Sequence, residues 1–234
     1  MKFETPLLKG SLLKRYQRFL ADVELENGEK ITAHCPNSGS MLGLKDPGMG
    51  VWVSQVPNHL ERKLRYTLEF VEVDGSLVGV NTGKPNSLVE EAFINKKIPE
   101  FSLFTAYKRE VKYGENSRID FLFYDESEAP CYVEVKSVTL KQGNVALFPD
   151  AVTSRGAKHL KELAKMVQQG ARAIIFYVVQ REDCSSFSIA SSIDQNYAEM
   201  TTYAKENGVE SLCYHCKIAL DEIKIFRPLP IVDL

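Results

Sequence analysis

Asp120, Glu134 and Lys136 are residues of the types, and at the spacing, that phosphodiester chemistry needs. They lie in RIDFLFYDESEAPCYVEVKSV, residues 118–138, where two apolar runs flank an acidic turn. Side chains alternate faces along a strand, so Val133 and Val135 point one way and Tyr132, Glu134 and Lys136 the other. Glu134 and Lys136 then stand about 6.5 Å apart along one face. A hairpin turn centred near Ser127 places Asp120 opposite Glu134, with Ile119, Phe121 and Phe123 on the face away from Asp120. Two facing carboxylates repel where water is scarce. A divalent ion, Mg²⁺ or Mn²⁺, held by Asp120 and Glu134 resolves that repulsion, because such ions take one or two carboxylates plus phosphate oxygens. It would acidify a bound water and polarise a phosphate. Lys136 would hold the attacking water or offset charge on the phosphate oxygens. The plainer reading is a half-exposed Glu134–Lys136 ion pair, worth about 0 to 1 kcal/mol, beside a solvated Asp120.

A third carboxylate is expected from PNSLVEEAFINKKI, which reads as a helix with Leu88, Ala92 and Phe93 as its packed face. Ser87 as N-cap with Glu90 three residues on makes a capping box, which leaves Glu91 for the site. Glu110 is the competitor. A second helix after Asp150 carries an apolar stripe of Leu160, Leu163, Ala164 and Val167. Its other side is basic: Arg155 and His159 are i,i+4 and could contact a phosphate or the site itself, Lys158 and Glu162 are a second i,i+4 pair, and Lys161 and Lys165 lie close by. From Lys136 to Arg172 there are seven Lys or Arg against two acids, although the whole chain carries a net charge of −2. Such a local patch suits a phosphate backbone, and it suits a solvated helix face equally well. Arg15 and Arg18, interleaved with Tyr16 and Phe19, and Arg62, Lys63 and Arg65 complete the candidate DNA contacts with Arg155, Lys158 and His159.

The elements that must position these residues fall into two parts. Residues 1–83 read as a small β-barrel of the OB type, or an SH3-like barrel. FLADVEL and KITAHC form a hairpin around Asn27-Gly28, VWVSQVP is a strand, and LRYTLEFVEV and SLVGVNT pair around Asp74-Gly75. Residues 84–234 alternate helices and strands, an α/β organisation with a mixed sheet. ARAIIFYVVQ is apolar throughout, as in a strand covered on both faces. Five scattered cysteines are no disulfide framework, and Cys213 and Cys216, a lone CxxC, read as structural thiols with zinc or redox use as the alternative. No run is long and apolar enough for a bilayer, which argues against a membrane partner. The first residues lack the features of a signal peptide, and a cytoplasmic location is the expectation.

RYQRFLADV, HCPNSGSM at 34–41, VKYGENSRIDFLF at 111–123, YVEVKSVTL at 132–140 and FPDAVTSRGAKHL at 148–160 resemble the sugar fermentation stimulation protein family over nearly the whole chain. The resemblance implies an OB-like first domain and a second domain of the PD-(D/E)xK restriction-endonuclease type. It implies Asp120, Glu134 and Lys136 as the motif residues, with Ile119 where the motif has proline, and Glu91 as the upstream helical acid. It also implies sequence-nonspecific DNA binding. Two functions follow as expectations: a metal-dependent phosphodiesterase acting on DNA, or a nonenzymatic DNA-binding regulator of sugar-metabolism genes with a vestigial site. A helix-turn-helix suggested for the family near the C-terminus is not expected, because 193–226 reads as helix then strands.

Overall fold

A computed structural model describes residues 1–57, 62–115 and 117–233. The first part is built from β1 (Leu8–Tyr16), β2 (Leu20–Leu25), β3 (Lys30–His34), β4 (Gly50–Gln55), β5 (Tyr66–Val73) and β6 (Ser76–Gly79). The sheet order is β3-β2-β1-β4-β5-β6, and a parallel β3–β5 pairing closes five strands into an OB-like barrel. Alternating residues such as Leu12, Val23, Ile31, Val51, Val53 and Leu68 fill it. Asp74 and Gly75 both have positive φ, as a two-residue hairpin turn requires. Strand β1 is an element the hydropathy pattern does not announce. Gly10 makes it possible: a Cβ there would stand 2.6 Å from Val23 and 2.7 Å from the Glu24 carbonyl oxygen.

The second part begins with α1 (Lys84–Ile94) and a 3₁₀ turn at Pro99–Phe101. The strands β7 (Ala106–Tyr113), β8 (Ser117–Tyr124), β9 (Cys131–Val138), β10 (Leu140–Gln142) and β11 (Val145–Phe148) precede α2 (Ser154–Gln168). Then come β12 (Arg172–Val179), β13 (Ser186–Ile189), α3 (Gln195–Glu206), β14 (Glu210–Ile218) and β15 (Ile223–Pro228). The main sheet runs β15-β14-β12-β9-β8-β7. It is parallel across β9, β12 and β14 and antiparallel toward both edges, which makes it the mixed sheet of a restriction-endonuclease-like domain. One face packs on α1 through Leu88, Val89 and Ala92, the other on α2 through Leu160, Leu163 and Ala164. β12 is buried on both faces, as its apolar run requires.

One expectation changes and others are sharpened. Helix α1 starts three residues before Ser87, with Gly83 at its cap and no side-chain capping bond, so the Ser87–Glu90 box does not form. Pro85 fits in the first turn, where no intrahelical N–H is needed, and the Asn81 side chain accepts from Gly83 N. Helix α2 starts at Ser154 under a Thr153 cap that accepts from Gly156 N. Cys213 and Cys216 are buried in different core layers on opposite faces of β14, so they cannot share a metal ion; all five cysteines are free. Residues 193–226 are α3, β14 and β15, with no helix-turn-helix.

The two parts are clasped together. Asp150 Oδ2 accepts from Met41 N at 3.0 Å, and Ser40 Oγ donates to the Asp150 carbonyl. Gly79 N donates to the Gln180 carbonyl, whose side chain in turn donates to Ser137 Oγ.

Candidate active site

The register of β8 against β9 is the one the turn position predicts: Phe121, Leu122 and Phe123 face Val133, Tyr132 and Cys131. Asp120 therefore comes opposite Glu134. The backbone ladder stops there, and the Asp120 side chain takes over: Oδ2 accepts from Val135 N and Oδ1 from Asn86 Nδ2 of α1, each at 2.8 Å. On the other side, β7 and β8 pair as Arg109–Phe121 and Val111–Ile119, with Glu110 in between at φ +52°. Ile119 packs in the α2-side core while Phe121 and Phe123 pack in the α1-side core, so the three do not share one face as expected. Glu110 itself is exposed and supplies no buried acid.

Glu134 is 4% exposed. Its Oε1 accepts from Lys136 Nζ at 2.7 Å and is bound by His159 Nδ1 of α2. Arg155 Nε points at His159 Nε2 from 3.4 Å, which makes that nitrogen the acceptor and assigns the proton to Nδ1. With two donors on Oε1, Glu134 Oε2 is left buried and without a partner. Burial and the neighbouring Glu134 charge push the Asp120 carboxyl up to about 6, against the bonds from Val135 and Asn86. Burial also works to raise Glu134, but the Lys136 charge and the His159 bond outweigh it and hold that carboxyl below its ordinary value. Of the facing pair, Glu134 stays ionised and Asp120 takes up the proton first.

Two residues at this centre are not singled out by sequence reasoning. Glu162 of α2 is buried, with neither carboxylate oxygen in a hydrogen bond and Lys158 Nζ 3.7 Å away. The Tyr113 hydroxyl is buried and unpartnered; burial and the charges of Glu134, Glu162 and Asp120 raise it far above the usual phenol range. Gly114, at φ +55°, admits Glu162: a Cβ there would lie 2.9 Å from its Cδ. The available signal was that Glu162 interrupts the inward stripe of α2 between Leu160 and Leu163, whereas its i,i+4 partner Lys158 suggested a surface pair.

The other candidates divide. Glu91 is not brought to Asp120: its Oε2 lies 2.6 Å from the Met1 amino nitrogen, facing β15. Glu90 accepts from Tyr107 and Arg109 of β7. Arg15 is structural, its Nη2 donating to the carbonyls of Arg18, Asn37 and Gly39. Arg62 reaches Thr67 and His34, and Arg65 the Val56 carbonyl. His159 is 3% exposed and serves Glu134, so it is no surface phosphate contact. Arg18, Lys63, Arg155 and Lys158 are exposed, and Arg155, Lys158, Lys161 and Lys165 form a solvent-facing row on α2 whose first member touches His159. Lys141 and Arg172 leave the basic patch, being half-buried and paired with Asp183 and Glu210; Lys165 stays exposed in the row while its Nζ bonds the exposed Glu115.

The donor set fits a hard divalent cation. Glu134 Oε2 is an orphaned buried carboxylate oxygen, and Asp120, which the register places opposite, is a second oxygen donor. Among the described residues no group of three or more His, Cys, Asp or Glu could hold a metal, so the protein would supply two carboxylates and leave other positions to water and phosphate.

Comparison with known proteins agrees with this anatomy. Residues 83–222 match the model of the sugar fermentation stimulation protein RE domain, and residues 13–80 that of the SfsA N-terminal OB domain. The chain is 51% identical to a sugar fermentation stimulation protein homolog of Paramagnetospirillum magneticum, over 98% of this chain and 97% of that one. It is 53% identical to the homolog of Rhodospirillum centenum, over 98% of each. A solved structure of Pyrococcus furiosus SfsA in complex with Ca²⁺ superposes with a TM-score of 0.91 at 28% identity, over 99% of this chain and 98% of that one. The chain belongs to the sugar fermentation stimulation protein family, with an N-terminal OB domain and a C-terminal restriction-endonuclease-like domain.

Proposed function

We propose that this protein binds DNA through its phosphate backbone and hydrolyses phosphodiester bonds with Mg²⁺ or Mn²⁺ at Asp120, Glu134 and Lys136. The observation that carries the reading is Glu134 Oε2, a buried carboxylate oxygen with no partner. Leaving such an oxygen unsatisfied is costly, and a cation offsets that cost. Asp120 and Glu134 would hold the ion. When bound, it acidifies a water and polarises the scissile phosphate. The rest is done by the chain. His159 and Lys136 both donate to Glu134 Oε1, which fixes the carboxylate and leaves Oε2 for the ion. Lys136 would orient water or neutralise charge on the phosphate. Arg155, Lys158, Lys161 and Lys165 form the row along which a phosphate backbone would lie, contacts that position a strand without reading its bases. That the Pyrococcus furiosus relative was solved as a complex with Ca²⁺, a cation with the same taste for oxygen donors, supports the reading.

The test is cleavage of plasmid, duplex, single-stranded and branched DNA with Mg²⁺ or Mn²⁺ and with chelator. The expected result is cleavage that needs the ion and is lost in Asp120→Ala and Lys136→Ala. Cleavage that survives both substitutions sinks this site. Salt-dependent binding with no cleavage of any substrate makes the protein a nonenzymatic DNA-binding regulator instead.

A further inference from the structure

A cavity of about 400 Å³ opens between the two domains. Its walls include Arg18, Asn37 and Ser38 of the barrel, and Ser137, Phe148 and Thr153 of the second domain. Three features say what it could take. Its size is that of a small-molecule site, far too narrow for a duplex. Its width is set by the Asp150 bonds to Ser40 and Met41, since Asp150 and both barrel residues 38 and 39 border the same space. Its one cationic lining residue is Arg18, exposed, with no side-chain partner among the described residues. Arg18 and Gln17 sit at φ +63° and +47°, a left-handed turn that ordinary residues avoid. Arg15 holds that turn by donating to the Arg18 carbonyl. A planar guanidinium so presented matches a phosphate. Ser38, Ser137 and Thr153 supply hydroxyls, and Phe148 an aromatic side chain in the wall.

The position is as informative as the lining. Ser137 follows Lys136 directly in β9, and Thr153 caps the helix that carries Arg155 and His159. The cavity therefore begins where the phosphate site ends. We propose that this interdomain cleft holds one unstacked nucleotide of a single-stranded nucleic acid, with Arg18 on its phosphate, while the neighbouring phosphodiester lies at Asp120 and Glu134. This deepens the phosphodiesterase reading and rests on it for the neighbouring bond. It names the substrate form: an end, flap or loop whose nucleotide is free to leave the stack, not an intact duplex.

Binding without chemistry tests it. In chelator, fluorescence anisotropy is measured with labelled dodecathymidylate and with a twelve-base-pair duplex. Arg18→Ala should weaken the single strand about tenfold, the cost of one charge-assisted phosphate contact, and the duplex much less. Arg18→Lys should restore part of the loss. Ser38→Trp, which fills the cleft from an exposed position, should remove the single-strand preference. The cleft is overturned if both substitutions leave single-strand binding unchanged, or if they weaken strand and duplex equally. Neither result bears on metal-dependent cleavage, which the chelator suppresses and which Asp120→Ala and Lys136→Ala test separately.

Discussion

Asp120→Asn should make the metal-free protein more stable at neutral pH, and the reason is visible in the structure. The folded protein holds the Asp120 carboxyl at about 6 against an ordinary 3.8, because it is buried beside the Glu134 charge. A carboxyl raised on folding contributes stability that is complete below the unfolded value and is lost as pH rises through the folded one. Here the loss runs between about pH 4 and pH 6 and then levels off. A rise from 3.8 to about 6 corresponds to about 3 kcal/mol of order-of-magnitude destabilisation at pH 7.5. An asparagine carries no charge and keeps both contacts: its Oδ1 can accept from Val135 N, and its Nδ2 can donate to Asn86 once that amide turns over. Urea unfolding in chelator at pH 4 and pH 7.5 reads the effect. The variant should gain on the wild type by about 1 to 3 kcal/mol at the higher pH and by little at the lower, the spread allowing for weaker neutral hydrogen bonds. Mg²⁺ at about 1,000 times its Kd should reverse the order, since it adds about 4.1 kcal/mol to the protein that binds it. A variant less stable than wild type at pH 7.5 in chelator would refute the claim that Asp120 is an electrostatically costly, ligand-ready group.

Four further outcomes follow from particular residues. His159→Ala removes the donor that steers Glu134, so divalent-ion affinity measured by calorimetry should fall about 10- to 100-fold; His159→Gln should recover some of it. Arg15→Ala should destabilise the fold by about 1 to 3 kcal/mol, because three carbonyls lose a charged donor, yet leave the salt dependence of duplex binding unchanged. Arg155→Ala and Lys158→Ala should do the reverse, each lowering the slope of log K against log salt by about one. Gly114→Ala places a methyl 2.9 Å from Glu162 Cδ at a left-handed φ, and thermal unfolding should show a loss of at least about 1 to 3 kcal/mol.

The sequence carries the site where a local rule fixes a global position. The turn at Ser127 sets the register of β8 on β9, and strand alternation then puts Glu134 and Lys136 on one face, so Asp120, Glu134 and Lys136 could be brought together on paper. The rule fails one residue further on. Ile119 packs in the α2-side core although Phe121 and Phe123 pack in the α1-side core, and the neighbouring strand carries Glu110 at a left-handed φ, which no non-glycine sequence announces. The Asn27-Gly28 and Asp74-Gly75 turns likewise give away four barrel strands, whereas β1 depends on Gly10 fitting against Val23, a contact between segments.

Charged side chains were the hardest to place, because periodicity gives a face but not the partner across it. Asn86 and Glu90 share a face of α1 at i,i+4. The first meets Asp120 on β8, the second Tyr107 and Arg109 on β7, and Glu91, about 100° further round the helix, turns to Met1 and β15. A capping argument between Glu90 and Glu91 could not have found the amide that contacts the site. Arg15 reads as a phosphate ligand and is a loop clamp; of the two contacts open to His159, a phosphate or the site, the fold takes the site, where it is buried against Glu134. These misplacements have one physical origin. A buried charge is tolerated only through partners brought from other elements, so its role is settled by tertiary contacts that a window of sequence does not contain. The same reasoning gives the unpartnered groups their weight. Glu134 Oε2, both Glu162 oxygens and the Tyr113 hydroxyl are buried without a partner among the described residues, and Tyr113 feels the charges of Glu134, Glu162 and Asp120. Under the metal reading proposed above, a cation would satisfy Glu134 Oε2.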